Sequence, residues 1–321
     1  MNRRAFLDVA AQQLAAVAVA PSVIRVPRRV TSSAPVDRYA RLARHAPVVT
    51  RFDAFSALSV GNGAFAFTVD ATGLQTFAEE YRELPLATQA EWGWHSFPNP
   101  AGYRLENALV PYDAHGRPVS YASAQDSAAG KWLRENPHRL SLARIGFLLV
   151  RSDGSPAKSS DLTDVRQRLD LWSGKIESTF TLDGGVVRVV TTAHPERDLI
   201  AVQVQSDHLD PARLSIRVAF PYGGATHTGD PADWSHPERH RTEIAASDRR
   251  SVTWHRTLDA DEYWARASWT SGASFRQTAP HEFLIEPSKD STGIECVFAF
   301  SPRQDHEPLP SVASTESASA A

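Results

Sequence analysis

The chain has 321 residues, enough for one large or two ordinary domains at roughly 150 residues per domain. Its 34 Lys and Arg against 37 Asp and Glu give a formal net charge of -3, so no excess of basic residues exists to neutralise phosphates, which excludes a nucleic-acid partner. Hydrophobic residues at 42% exclude a disordered chain, and a single cysteine, Cys296, excludes an internal disulfide and any thiolate metal centre.

The chain opens Met1-Asn-Arg-Arg-Ala-Phe-Leu7, followed by a mildly apolar stretch from Val9 to Ala20. Paired arginines before X-Phe-Leu resemble a twin-arginine export signal, and Ala18-Val19-Ala20 has the small-residue pattern of a cleavage site. The apolar part is interrupted by Gln12 and Gln13 and is too short for a permanent membrane span. Residues 1–30 carry five Arg and one Asp, so their removal takes the net charge from -3 to -7. The expected location is periplasmic or secreted.

Residues 21–36 read as linker, and Asp37–His45 as a short helix with Tyr39 and Leu42 on one side. From there period-two alternation dominates, at Phe65, Phe67 and Val69, and again at Ile145, Phe147 and Leu149. Ile176, Ser178, Phe180 and Leu182 alternate up to Asp183-Gly184, a hairpin signal, and Val186–Thr192 is the return strand. Further strands are expected over 200–204, 214–220, 252–254, 263–269, 283–286 and 294–300, the last burying Cys296. Such a series with almost no helical period predicts an all-β antiparallel sandwich. Residues 78–140 and 221–250 are expected to be long loops. The Ser/Ala/Thr-rich end predicts a disordered tail. The expected organisation is therefore signal and linker start over 1–30, one β-domain over 31–303, and tail over 304–321.

Gly61-Asn-Gly-Ala-Phe-Ala66 matches a dinucleotide-binding pattern formally, but the strand that follows cannot supply the helix N-terminus that holds a pyrophosphate. A tight turn is the better reading, and no cofactor is expected. His227, His236, His240 and His255 lie near Asp230 and Asp233, but Pro231 and Pro237 oppose the helix that would align them. They read as a solvated loop, with no metal site.

The most distinctive stretch is Glu91-Trp-Gly-Trp-His-Ser-Phe-Pro-Asn-Pro100. Aromatic rings offer apolar faces to sugar C–H groups while nearby polar atoms reach hydroxyls. Trp92, Trp94, His95, Phe97 and Asn99 are therefore the candidate carbohydrate-binding residues. Glycoside hydrolysis needs two paired carboxylates, and nothing in the sequence pairs Glu79, Glu80, Glu91 or Glu177, so no catalytic residue is assigned.

Leu58-Ser-Val-Gly-Asn-Gly-Ala-Phe-Ala-Phe67 and Asp70-Ala-Thr-Gly-Leu-Gln-Thr-Phe77 resemble the opening of bacterial six-hairpin glycosidases, similar in layout to glycoside hydrolase families 65 and 95. The resemblance continues through residues 92–100, 136–140, 168–180 and 192–200 and covers about 37–303. It implies an amino-terminal β-supersandwich similar to the galactose mutarotase fold, followed in those families by a catalytic (α/α)6 barrel. After Phe298-Ala-Phe-Ser-Pro302 the sequence ends in its Ser/Ala tail without a helical series, so none of the barrel's catalytic residues carries over. The expectation is a non-catalytic domain of an exported glycoside hydrolase, its barrel separate or missing. Two alternatives remain open at this point. One is a free-standing carbohydrate-binding protein; the other is a mutarotase-like or hydrolytic enzyme using His95 or His194 with Glu79, Glu80 or Glu177.

Overall fold

A computed structural model describes residues 36–206, 211–225, 228–270 and 272–320. The expected signal, most of the linker and His227 lie outside them. Tyr39–Ala321 form one compact unit, and its architecture is an all-β sandwich in which every strand pairing among the described residues is antiparallel.

The larger sheet runs, in spatial order, Val48–Val49, Leu162–Asp170, Lys175–Leu182, Gly185–Ala193, Leu199–Ser206, Gly293–Ser301, Asp261–Trp269, Ser251–Leu258 and His240–Ser247. The facing sheet is Ser274–Ala279, Glu282–Glu286, Leu214–Ala219 and Arg144–Leu149. Their inner faces share one apolar core. Phe147 of the small sheet meets Phe180 of the large one at 6.2 Å between ring centroids, and Phe220 and Phe283 meet Trp254 at 5.3 and 5.2 Å. Strict alternation produces this face: in Lys175–Leu182 the residues Ile176, Ser178, Phe180 and Leu182 are buried and their neighbours are not.

Turn chemistry sets the register. Asp183 at φ 48° and Gly184 at φ 82° give the two left-handed residues of a tight hairpin, pairing Leu182 with Gly185. In the Gly61-Asn-Gly turn, Asn62 Oδ1 accepts from the Ala64 and Phe65 amides while its Nδ2 donates to the His194 and Arg197 carbonyls. That motif is a structural clip between two loops, as the tight-turn reading expects. Cys296 is fully buried in its strand, and burial pushes its thiol well above the ordinary range.

Three expectations need correction. The segment 78–140 holds the strands Thr88–Ala90 and Trp94–His95, a hairpin of Val110–Ala114 with Arg117–Tyr121, and the helix Ala128–Glu135 capped by Ser127. The segment 221–250 contains His240–Ser247, an edge strand so exposed that it shows no hydrophobic alternation. The tail is not wholly without structure, because Val312–Ser319 form a helix. Ser311 caps that helix, and Val312 is buried against Leu199, Ala201 and Val297 on the outer face of the large sheet. Composition argued for disorder, but Val312, with Leu309 packed beside it, meets an apolar face that the sheet already offers. No helix among the described residues is long and apolar enough to cross a membrane.

Candidate functional site

The aromatic stretch is divided by strand geometry. Trp94–His95 pairs with His138–Arg139, so successive side chains point to opposite faces: Trp94 outward, His95 inward. Trp92 is partly buried against the core, and its indole Nε1 donates to Asp198 Oδ2 at 2.7 Å. His95 is fully buried, with Nδ1 2.9 Å from Asp261 Oδ2. Its Nε2 is 3.3 Å from Asp259 Oδ2 without the alignment of a hydrogen bond. The Tyr222 hydroxyl donates to the same Asp259 carboxylate. Gly223 is required here, since a Cβ at that position would lie 2.6 Å from His95 Cδ2 and 3.0 Å from His138 Nε2.

Phe97 is half-buried, stacked on His138 at 4.9 Å, and its amide donates to Asn136 Oδ1 at 2.6 Å. His138 Nδ1 lies 2.8 Å from the Glu135 carbonyl, which can only accept, so that nitrogen carries the proton. Burial holds the His138 pKa below the ordinary histidine value, so the ring is neutral. Asn99 is spent locally: Nδ2 donates to the Tyr103 carbonyl and Oδ1 accepts from the Tyr103 amide, both at 2.9 Å.

Of the five candidates, therefore, only Trp94 presents a ring that is substantially exposed, at 43%. Its indole N–H donates to the Glu91 carbonyl at 2.9 Å, and the Arg139 guanidinium lies 4.3 Å from its ring centroid. Arg139 is itself anchored by donation to the Ala90 carbonyl at 3.0 Å. Both residues edge a cleft of 430 Å³ that also takes in Arg134, His138 and the turn at Gly229. Gln89 and Arg139 also line an adjoining cleft of 380 Å³, which runs past Glu91 to the Gly61–Ala66 turn. These volumes suit a drug-sized or sugar-sized ligand, and the walls mix one large ring with charged and amide groups. Sequence reasoning missed Arg139, Gln89 and Arg134. The signal for Arg139 was its place beside His138, but the pairing with Trp94 is non-local.

The acid–base pairs considered for catalysis do not form. Glu79 sits with Arg82 and Arg144, Glu80 accepts from Ser159, and Glu177 pairs with Lys175. His194 Nδ1 accepts from the Glu196 and Arg197 amides. The carboxylates beside His95 are Asp259 and Asp261, and that histidine is closed to solvent. The described histidines of the 227–255 set each have their own partner: His236 binds Asp233, His255 binds Glu262 and stacks on Trp264, and His240 accepts from Arg256.

No protein-family model matches the chain, and no curated protein matches it. Solved structures do match, among them one titled "Putative kojibiose phosphorylase from human microbiome". It is 10% identical, over 81% of this chain and 33% of that one, with a TM-score of 0.47. The chain thus spans about a third of that protein's length.

Proposed function

We propose that the Trp94–Arg139 cleft binds carbohydrate, and that the chain serves as a non-catalytic β-domain of an exported glycoside hydrolase. The observation that carries the reading is the exposed Trp94 ring, held by Glu91 and Arg139 at the edge of a polar cleft. An indole face takes the C–H side of a sugar ring, and Gln89, Glu91 and Arg134 supply donors and acceptors for its hydroxyls. The ordered resemblance over residues 37–303 to six-hairpin glycosidases supports the glycosidase half. The separate partners of Glu79, Glu80 and Glu177 support a non-catalytic role, because hydrolysis needs two carboxylates facing one bond. The resemblance of Arg3-Arg4-Ala-Phe-Leu7 to a twin-arginine signal supports export.

The test is calorimetric titration with a panel of glycans alongside a hydrolysis assay. Binding is expected, with loss of about tenfold or more in affinity for Trp94→Ala and no hydrolysis above buffer. Unchanged binding by Trp94→Ala in a folded protein would remove the cleft from consideration. Hydrolysis by the purified chain would overturn the non-catalytic role.

A further inference from the structure

The turn that edges the Trp94 cleft with Thr228, Gly229 and Pro231 continues into Asp233 and Trp234, which line a different cavity of 250 Å³. Trp234 is 37% exposed, and the guanidinium of Arg144 lies 4.3 Å from its ring centroid. Pro221, Pro237 and Pro280 give the cavity stiff apolar walls.

Two further walls are histidines. His240 and His281 stack at 3.9 Å between centroids. His281 sits at φ 65°, a backbone region uncommon outside glycine, and is held there from both ring nitrogens. Its Nε2 donates to the Pro237 carbonyl at 2.9 Å, and its Nδ1 accepts from the Thr242 hydroxyl at 2.6 Å. His240 Nδ1 accepts from Arg256 Nη2 at 2.8 Å, which fixes the proton on Nε2. Among the described residues that Nε2–H has no hydrogen-bond partner, and His240 lines the cavity.

The carboxylates present already have hydrogen-bond partners. Asp233 pairs with His236, and Glu282 with Arg217. These carboxylates disfavour an anionic ligand, and they retain lone pairs as hydrogen-bond acceptors for hydroxyls. An indole platform, one pre-set donor and carboxylate acceptors match a ring with an apolar face and hydroxyls at its rim. At 250 Å³ the space is below the usual range of about 300–1,000 Å³, which favours one ring over a chain of rings.

We propose that this cavity is a second ligand site, taking a single neutral polyhydroxylated ring such as a monosaccharide unit, with Trp234 as its platform and His240 Nε2–H as its donor. The site does not depend on the Trp94 cleft, and either can fail without the other.

The test uses the full chain labelled with nitrogen-15 in Trp and His. Glucose, galactose, mannose, xylose, N-acetylglucosamine, acetate and tetramethylammonium are added in turn while the Trp234 indole, His240 Nε2 and Trp94 indole signals are followed. At least one sugar is expected to shift the Trp234 and His240 signals saturably. The apparent affinity read at His240 should drop about tenfold in Trp234→Ala and stay unchanged in Trp94→Ala. Asp233→Asn, which keeps the volume, should weaken binding several-fold and serves if Trp234→Ala does not fold. Silence at Trp234 and His240 with every sugar overturns the proposal, as does a response only to acetate or tetramethylammonium. The Trp94 signal reports the other cleft: its silence counts against the proposed function alone.

Discussion

Nη2 of Arg256 donates a hydrogen bond to Nδ1 of His240 at 2.8 Å inside the sandwich, and Arg256 is fully buried. Among the described residues no carboxylate meets this guanidinium. Its remaining contacts are the Pro221 and Arg241 carbonyls, the Thr242 hydroxyl and the Tyr263 hydroxyl, with Phe220 under its face. A guanidinium can only donate, so His240 Nδ1 carries no proton and the ring is neutral. Burial and the adjacent Arg256 push its pKa from 6.5 down to about 3.

That depression makes the fold sensitive to acid. A histidine whose folded pKa lies below its unfolded value contributes stability that is present above about pH 6.5 and is lost as pH falls toward 3. His138 and His281 are lowered in the same direction, mainly by burial. Urea midpoints should therefore fall from about pH 7 to about pH 5. His240→Asn, whose Oδ1 can replace Nδ1 as acceptor, should flatten the slope by up to one proton. An unchanged slope in that variant would mean that His240 is not held neutral.

Arg256 itself should not tolerate lysine. Its five N–H donors meet five acceptors, and an ammonium offers three donors from one point. Arg256→Lys is expected to cost about 2–4 kcal/mol through the acceptors left without partners. A midpoint within error of the parent would show that water or repacking replaces the lost bonds.

Asp70 works with the opposite sign. It is fully buried, accepting from the Thr72 amide and hydroxyl through Oδ1 and from the Phe77 amide through Oδ2. Burial outweighs these bonds and raises its pKa from 3.8 to about 6. The folded state therefore holds the proton more tightly, and stability present below about pH 3.8 is lost as pH rises through 6. The shift corresponds to about 3 kcal/mol. Between about pH 4 and 6 this opposes the histidine effect, so Asp70→Asn should steepen the acid-side loss. It should also lower the midpoint, because one amide orientation turns an N–H donor toward the Phe77 amide and the other toward the Thr72 amide. A proton-uptake titration by calorimetry near pH 5 reads the same quantity directly, and equal uptake by parent and variant would remove Asp70 as the source.

How much of this was legible in the sequence depended on where each determinant lay. The Lys175–Leu182 and Gly185–Ala193 hairpin could be read because its alternation and its Asp183-Gly184 turn are local. His240–Ser247 could not, because an exposed edge strand needs no apolar face. In the aromatic stretch, spacing alone does not divide Trp94 from His95. Strand pairing with Arg139 and His138 does that, and the carboxylates on His95 come from Asp259 and Asp261, more than 160 positions away. The Arg256 hub was missed for the same reason: Arg in Trp254-His-Arg-Thr257 reads as a surface residue until Pro221 and Tyr263 fold around it.

Gly223 gives a sharper packing test. Its Cα approaches His95 and His138 so closely that a methyl group would meet His95 Cδ2 at 2.6 Å. Gly223→Ala is expected to destabilise by about 1–3 kcal/mol through overpacking. The cost should shrink in a His95→Ala background, where the added methyl finds room. A double-mutant cycle measures the coupling, and a coupling of zero would show that the strain is relieved elsewhere.

The carboxy-terminal helix is held by one apolar contact and several polar ones, which allows them to be separated. Arg197 Nη1 donates to the Pro308 carbonyl at 3.1 Å, Arg266 Nη1 to the Glu307 carbonyl at 2.7 Å, and the Ser319 hydroxyl to the Ala193 carbonyl at 2.6 Å. Arg197 and Arg266 also reach Asp305, at 3.5 and 3.4 Å. Half-exposed ion pairs of this kind contribute about 0–1 kcal/mol each. Val312, buried on Leu199, Ala201 and Val297, contributes about 1.5–3 kcal/mol by removing its side chain from water. Val312→Asp should therefore undock the helix, whereas Asp305→Asn should barely move it. Hydrogen exchange across 312–319 is the measurement: fast exchange is expected in Val312→Asp and protection in Asp305→Asn. The reverse order would show that the arginines, not the valine, hold the helix to the sheet.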